Sequence, residues 1–530
     1  MGSVKHKRTK VVGRVPTTSQ VAEGEIALNL ADRLIYTNDG SKVITLGGGM
    51  PRVKKWSSGQ YVYENGFMFI GTDDKLYMSA QNTHGQYPGN HTNDATHLGI
   101  VQVMTPNEPI IDCGTIGNHT CYFLTASGKL YTWGENAQGE CGVGNTTTPI
   151  RKPTFVASDI ARVESPKYVG YEGNTPHCYA QKKNGSWIGW GYNWNTCIAG
   201  NATTGGTVNT TKPIAVVGPS GKTIKRIWNG GGNTHGVWAL MSDGKLYFKG
   251  TSYGGLGGVD DGHIALSDKL YRAWKVCVGL PTLSSTYYND PYSATFDNYF
   301  ELVHGWGYRN STTYVRPSTW VRCNGTIYST GNNDWSQLGR GAKGADDDRF
   351  VAISGMTSVK KIVTNGNGGP TPVHALKTNG ELWSWGYAGY GQMGDGGSAD
   401  IAAPKRTATS VADVWGGKGG HNYGYDSHFY IKKTDGSIWG TGDNATGSLC
   451  TEAVWKEIHS SWAKTMWGWI GEVKEMHPMN SQGEHCGTSY AITTDGRLYS
   501  AGRSDGGSGQ GWWHWEQSNT SRNEMPRRLV

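Results

Sequence analysis

The sequence predicts an all-β chain, a seven- or eight-bladed β-propeller of four-stranded blades preceded by a small N-terminal β attachment segment. Three observations lead there. One hairpin phrase recurs eight times, on average about 60 residues apart. Glycine, tryptophan and tyrosine are abundant (79, 22 and 28 residues) while 17 % of residues are charged, a composition of short strands, tight turns and aromatic filling between sheets. The first 48 residues stand outside the repeat, and together with the next seven they carry most of the net charge.

The phrase begins as Asp73-Asp74-Lys75-Leu76-Tyr77 and Ser127-Gly128-Lys129-Leu130-Tyr131. It returns at Asp243-Gly244, Asn324-Gly325, Asn379-Gly380, Asp435-Gly436 and Asp495-Gly496, and the copy Asn184-Gly185-Ser186-Trp187-Ile188 reads as slipped by one residue. Asp-Gly and Asn-Gly supply the positive φ values of a two-residue hairpin turn between alternating apolar runs. A strand such as Tyr122-Phe123-Leu124 precedes the turn, and a second ending in glycine, such as Tyr131-Thr132-Trp133-Gly134, follows it. After a polar loop such as Glu135-Asn136-Ala137-Gln138-Gly139 come a proline and a valine-rich run, as in Pro404 through Val411-Ala412-Asp413-Val414-Trp415-Gly416. Each unit therefore holds four short strands, and a ring of such blades avoids an open stack with exposed edges. The final Pro526-Arg527-Arg528-Leu529-Val530 resembles Pro404-Lys405-Arg406, and its continuation stands near the front in Val53-Lys54-Lys55-Trp56. The chain end is accordingly expected to pair into the first blade, so that residues 49–530 form a propeller closed by the C-terminal strand. Residues 1–48 form a separate N-terminal segment, and Gly47-Gly48-Gly49 reads as a linker.

The order of strand, D-G-x-L-Y-x-W-G and E-N-x-x-G-Q-L-G is similar to the regulator of chromosome condensation repeat, over about residues 50–530. The resemblance implies the propeller. It implies no single function, since that scaffold serves exchange factors, ubiquitin ligases, photoreceptors and secreted inhibitors. Seven blades are commonest in that family, against eight copies here.

The formal charge is +7, but residues 1–55 hold ten basic against four acidic residues, which leaves 39 against 38 in the remainder. A nearly neutral body lacks the clustered cations on which phosphate-backbone binding depends, so no nucleic-acid partner is expected. Nine cysteines without a C-x-x-C pair argue for small buried hydrophobes rather than disulfides or zinc. No apolar run approaches a membrane span, and the basic N-terminus lacks the apolar core of a signal peptide. A chain soluble when made, not exported by the Sec route, is expected.

The segment Val15-Pro16-Thr17-Thr18-Ser19-Gln20-Val21-Ala22-Glu23-Gly24-Glu25-Ile26-Ala27-Leu28-Asn29 through Tyr36 resembles the opening motif of phage tail-fibre and structural proteins, P-T-x-x-Q-L-x-x-G-E-I-A-I-N-x-x-D-G-x-L-Y. Asp32-Arg33 replaces its D-G and Val21 its leucine. The resemblance implies a bacteriophage virion protein, a tail fibre or spike assembled in the host cytoplasm. Its N-terminal segment would join other virion proteins, often in homo-trimers, and its propeller would meet a host-surface glycan or protein. Val15, Pro16, Thr17, Gln20, Gly24, Glu25, Ile26 and Asn29 would carry the attachment.

Candidate chemistry is sparse. His119, His177 and His235 each fall eleven residues before the repeat's apolar position and His428 ten before it, which suits a scaffold hydrogen bond in each blade better than a catalytic group needed once. No phosphate loop, G-x-S-x-G or carboxylate pair at glycosidase spacing stands out. A non-enzymatic chain without cofactor or metal is expected, the alternative being a capsular-polysaccharide depolymerase on the same scaffold. Irregular repeats place aromatic residues in loops: Tyr287, Tyr288, Tyr292 and Tyr299 in the 81-residue interval Leu246 to Ile327, then Trp462, Trp467 and Trp469, and Trp513 near the end. These are receptor-binding candidates, because such rings stack on sugars and protein partners, or else they fill gaps between blades.

Overall fold

The computed structural model describes residues 7–10, 16–29, 34–38, 40–41, 43–47, 51–57, 67–79, 85, 100–117, 119–165, 177–193, 198, 209–230, 236–252, 257–259, 269–305, 308–309, 314–315, 317–344, 346–365, 370–416, 427–445, 447–452, 458–480, 487–503 and 522–529. Among these, strands dominate. Eight four-stranded sheets follow one another along the chain, at 53–102, 110–157, 160–216, 224–276, 300–352, 359–408, 411–464 and 473–528; they are numbered here as blades one to eight. Each is antiparallel in simple order, and the strand copies in the sequence correspond to its second and third members. The count is therefore eight rather than seven.

Hairpin chemistry differs from expectation in one respect. Only blade five has the two-residue turn, with Cys323 opposite Thr326 and both Asn324 (φ 49°) and Gly325 (φ 73°) left-handed. In blade two Thr125 N donates to Lys129 O at 3.0 Å and Gly128 N to Thr125 O at 2.9 Å, with Gly128 left-handed at φ 93°. That is the three-residue loop in which one left-handed residue closes the turn. It explains why Asp74 (φ 61°) can stand where other copies have glycine. Nor is the third copy slipped: Trp187 pairs with Gln181 as Leu130 pairs with Leu124.

One blade cannot bury its faces alone, and the core lies between blades. Met68, Leu76 and Met78 of blade one pack with Ile110, Phe123 and Trp133 of blade two. Corresponding clusters join blades two and three through Leu124, Leu130 and Trp190, three and four, four and five, five and six, six and seven, and seven and eight. The eighth seam closes the circle: Tyr490, Ile492 and Leu498 of blade eight pack with Val53, Phe67, Phe69 and Tyr77 of blade one.

Loop glycines set how closely blades approach. A Cβ on Gly142 would stand 2.7 Å from Trp190 Cδ1, and one on Gly339 would stand 2.7 Å from Trp385 Nε1. Each glycine ends the E-N-x-x-G-Q-L-G loop of one blade and lies on the D-G-x-L-Y-x-W-G tryptophan of the next. The indoles are anchored by donation to the same loops, Trp190 Nε1 to Glu140 O at 2.8 Å and Trp385 Nε1 to Gln337 O at 2.9 Å.

Closure is not by strand exchange. The final strand, Arg522–Arg528, is the outer strand of blade eight and pairs with Leu498–Arg503, not with blade one. The expectation that it joins the first blade is corrected by the repeat itself, since Pro404-Lys405-Arg406 lies in an outer strand, Ile401–Ala408, and Val53 begins an inner one. Start and end meet as two complete blades. Val53 N donates to Gly496 O at 2.8 Å, Arg52 pairs with Asp495 at 2.9 Å, and Leu529 packs on the seam cluster.

If that seam closes the ring, Phe67→Ala should cost roughly 3–5 kcal/mol of stability, the range for truncating a fully buried phenylalanine. Phe155→Ala, on an outer strand and half exposed, should shift the melting temperature far less. Equal shifts in thermal melts of the two variants would count against a packed eighth seam.

Candidate attachment and recognition surfaces

The N-terminal sheet has its own pairing and its own small core. Lys7–Thr9 runs parallel to Ile26–Asn29, which pairs antiparallel with Leu34–Asn38, and that with Val43–Gly47. Val21, Ala27 and Tyr36 are buried together, with Val43 packed on them. The motif residues make the turn that leads into this sheet. Gln20 closes it twice, by N–H donation to Thr17 O at 2.9 Å and by accepting from Thr17 N on Oε1 at 3.0 Å. Gly24 is left-handed (φ 74°) and donates to Asn38 O at 2.9 Å. Glu25 accepts from Ala22 N at 2.8 Å and pairs with Lys7 at 2.8 Å. Pro16 and Gln20 line a cavity of about 420 Å³ together with Lys7, Arg8, Ala27 and Tyr36. Ile26 and Asn29 bound the second strand; Val15, Gly48 and Gly49 lie outside the described residues.

The aromatic candidates are distributed differently. Tyr287 and Tyr299 stack on each other at 3.6 Å and, with Tyr288, pack against the seam of blades four and five. Tyr292 lies at the seam of blades three and four with the Arg162 guanidinium 3.3 Å from its ring centre, and burial pushes its hydroxyl well above the ordinary tyrosine range. Trp467 is fully buried between blades seven and eight. Trp462 is half-buried against the seam of blades six and seven, where a Cβ on Gly394 would stand 2.3 Å from its Nε1. Blade seven carries Thr441 at the repeat's tryptophan position, and Trp462 from the outer strand fills that space. Blade eight has Ala501 at the same position, and Trp467 shares its cluster. Trp469 alone among the described candidates has an open ring, 66 % exposed, its Nε1 donating to Glu452 at 3.2 Å. Trp513 and His235 lie outside the described residues.

A feature missed in the sequence is a ring of charges on the innermost strands. The first strands of several neighbouring blades, one and two, three and four, and five through eight, touch one another. Apart from blade five, each has a bulge after its first residue or an equivalent register shift, which brings the next charged residue to one level. Lys55, Arg162, Arg226 and Lys361 stand at that level, matched one for one by Asp112, Glu301, Asp413 and Glu475. Lys55 reaches Asp112 of blade two at 2.7 Å and Lys361 reaches Asp413 of blade seven at 2.8 Å. Arg226 pairs with Asp297 at 2.9 Å, and Glu301 accepts from Arg322 and from Ile362 N, both at 3.2 Å. The signal was legible as Val53-Lys54-Lys55, Ile224-Lys225-Arg226, Val359-Lys360-Lys361 and Val473-Lys474-Glu475. A cavity of about 510 Å³ runs along these strands in blades four to seven.

The buried histidines serve the scaffold. His428 Nε2 lies 2.9 Å from Ser489 Oγ of the next blade, and burial drives its pKa down to about 3, as it does for His374. His119 Nδ1 lies 2.9 Å from Glu135. His177 is buried and stacks edge-on to Tyr179. The described cysteines are buried, with no disulfide among the described residues.

The model for the regulator of chromosome condensation (RCC1) repeat matches residues 127–166, the hairpin, loop and outer strand of blade two with the start of blade three. The chain carries an RCC1 repeat. The RCC1-like propeller is 29% identical over 189 residues to the E3 ubiquitin-protein ligase HERC2 of Homo sapiens, covering 35% of this chain and 4% of that one. It is 24% identical over 295 residues to the ultraviolet-B receptor UVR8 of Arabidopsis thaliana, covering 56% of each. The long tail fiber protein Gp37 of Salmonella phage S16 is 53% identical over 45 residues, 8% of this chain and 6% of that one. The alignments thus span about half or less of each relative. Among the described residues no helix is long and apolar enough to cross a membrane.

One buried acid yields a test of the RCC1-type loop. Where blade five has Gln337, which accepts from Trp335 N and donates to Asn332 Oδ1, both at 2.8 Å, blade two has Glu140. It keeps the first bond, from Gln138 N at 2.8 Å, but its Oε1 has no partner and Asn332's place is taken by Glu135. Burial, and Glu135 to a lesser degree, push its carboxyl up to about 7. Since this lies above the unfolded value, the associated stability is full in acid and is lost as pH rises through 7. Glu140→Gln should match the parent near pH 4.5 and exceed it at pH 8 by up to about 3 kcal/mol. Thermal melts of both proteins across that range check this; parallel pH profiles would contradict it.

Proposed function

We propose that this chain is a structural, non-enzymatic virion protein of a tailed bacteriophage, a tail fibre or spike. Its N-terminal sheet joins it to other virion proteins, and its propeller is presented to a host-surface glycan or protein. The observation that carries this reading is the combination of two parts in one chain. A separately cored sheet built on the P-T-x-x-Q and G-E-I turn chemistry stands beside a rigid propeller, and a 45-residue stretch of the chain is 53% identical to a long tail fibre protein. A propeller of closed seams suits presentation, because its faces keep their shape while their loops vary. Assembly as a homo-oligomer, a trimer, belongs to the same reading, since several copies turn weak single contacts into useful adhesion.

The test keeps the chain whole. Gln20→Ala, Gly24→Val and Glu25→Ala together remove the turn's bonds and force a β-branched residue into a left-handed backbone. The triple variant should retain the propeller's main melting transition and be missing from purified particles when their proteins are measured by mass spectrometry. Incorporation at the parental amount would overturn the reading. Shortening of host polysaccharide by the pure protein would replace presentation with hydrolysis.

A further inference from the structure

The axial cavity has a charge balance that points to a ligand. Among its lining cations, Arg226 is held by Asp297, Arg322 by Glu301 and Lys361 by Asp413. Lys360 has no acid. It is the bulge residue of the strand Val359–Thr364, exposed at the end of the cavity, and its Nζ donates to a carbonyl, Ala412 O at 3.0 Å. A carbonyl fixes the ammonium without neutralising it and leaves its other two N–H bonds free. Arg226 also keeps a buried Nε without a partner in the same wall. Lys225, the bulge residue of blade four, is held likewise by a neutral group, Asn289 Oδ1 at 3.4 Å.

We infer that the cavity at the Lys360 end of the propeller axis is a binding site for an acidic saccharide, a sugar unit bearing phosphate or carboxylate, with the anion on Lys360 and the neutral body lying along the inner strands of blades four to six. The size excludes a bare anion as the natural occupant, because about 510 Å³ is a small-molecule volume. The charge excludes a nucleic-acid strand, which needs a row of uncompensated cations, whereas this wall offers one with Lys225 nearby. Beyond Lys360 the lining changes to Asn229, His304 and Thr364 beside Trp228 and Phe300, the mixture of polar groups and ring carbon that suits hydroxyls and the C–H face of a sugar. The inference rests on the host-facing reading only for the source of such a saccharide.

The probe is phosphomannan, with polygalacturonate as the carboxylate counterpart and phosphate-stripped mannan as the neutral one, each immobilised and titrated with the full chain by interferometry. One or both acidic polymers should bind, more tightly at low salt, and the neutral one should not. Which acidic polymer binds assigns the anion. Lys360→Gln should weaken binding by about tenfold or more, Lys360→Arg should restore it, and Lys152→Gln, exposed on the outer strand of blade two, should change nothing. All three substitutions are at exposed positions, so melting temperatures should match the parent's. Failure of both acidic polymers to bind, equal binding of the neutral mannan, or full binding by Lys360→Gln would each overturn the site. If the site fails while the N-terminal triple variant is still missing from particles, the virion reading stands without it.

Discussion

The propeller depends on the packing of each blade's face against the next, which at two seams is set by one blade's tryptophan against the preceding blade's loop glycine. A four-stranded sheet has two faces and no core, so the blade is stable only when both are covered. At Gly142 over Trp190 and Gly339 over Trp385 the spacing between sheets is set to within a methyl group. The indole N–H is satisfied by a carbonyl of the same loop, so the seam leaves these donors paired. With all eight seams packed, the last blade is brought back to the first. The ring needs no strand shared between chain ends, because the eighth seam is built from the same kinds of side chain as the others.

Much of this was legible in the sequence, and the exceptions have physical causes. The glycine of each hairpin marked the turn because a left-handed backbone is demanding at one residue, though the loop proved one residue longer than the two-residue turn almost everywhere. The ring closure was misplaced because Pro526-Arg527 was read as a unit's start, when the matching Pro404-Lys405 is an outer strand. Trp462 and Trp467 stand out in the sequence as receptor-binding candidates, or as gap fillers, because they break the repeat. In three dimensions they fill spaces where the repeat's own tryptophan is missing, at Thr441 and Ala501, and no residue spacing reveals such an exchange between strands. Tyr287, Tyr288, Tyr292 and Tyr299 were grouped by nearness in sequence, but they divide between two seams. The charge ring was present in the V-x-charge runs and was overlooked because its four cations and four acids cancel, so net charge conceals them.

That balance of charge bears on both stability and the proposed site. Lys55 with Asp112 and Lys361 with Asp413 neutralise one another across seams, so the axis is held polar without the self-repulsion of a single-sign ring. The wall departs from balance at the bulge residues, where Lys360 and Lys225 are held by neutral oxygens. The N-terminal sheet follows a different economy: its motif residues spend their hydrogen bonds on one turn, and its core of Val21, Ala27 and Tyr36 is small.

The number and closure of the blades bear most directly on these conclusions. Single-particle cryo-electron microscopy of the purified full chain, at a resolution that shows strands, should reveal eight four-stranded blades. Residues 522–528 should lie as the outer strand of the eighth, and Phe67 and Tyr490 should pack across its boundary with the first. A seven-bladed ring, an open arc, or residues 522–528 paired beside residues 101–102 of blade one would contradict closure by seam packing.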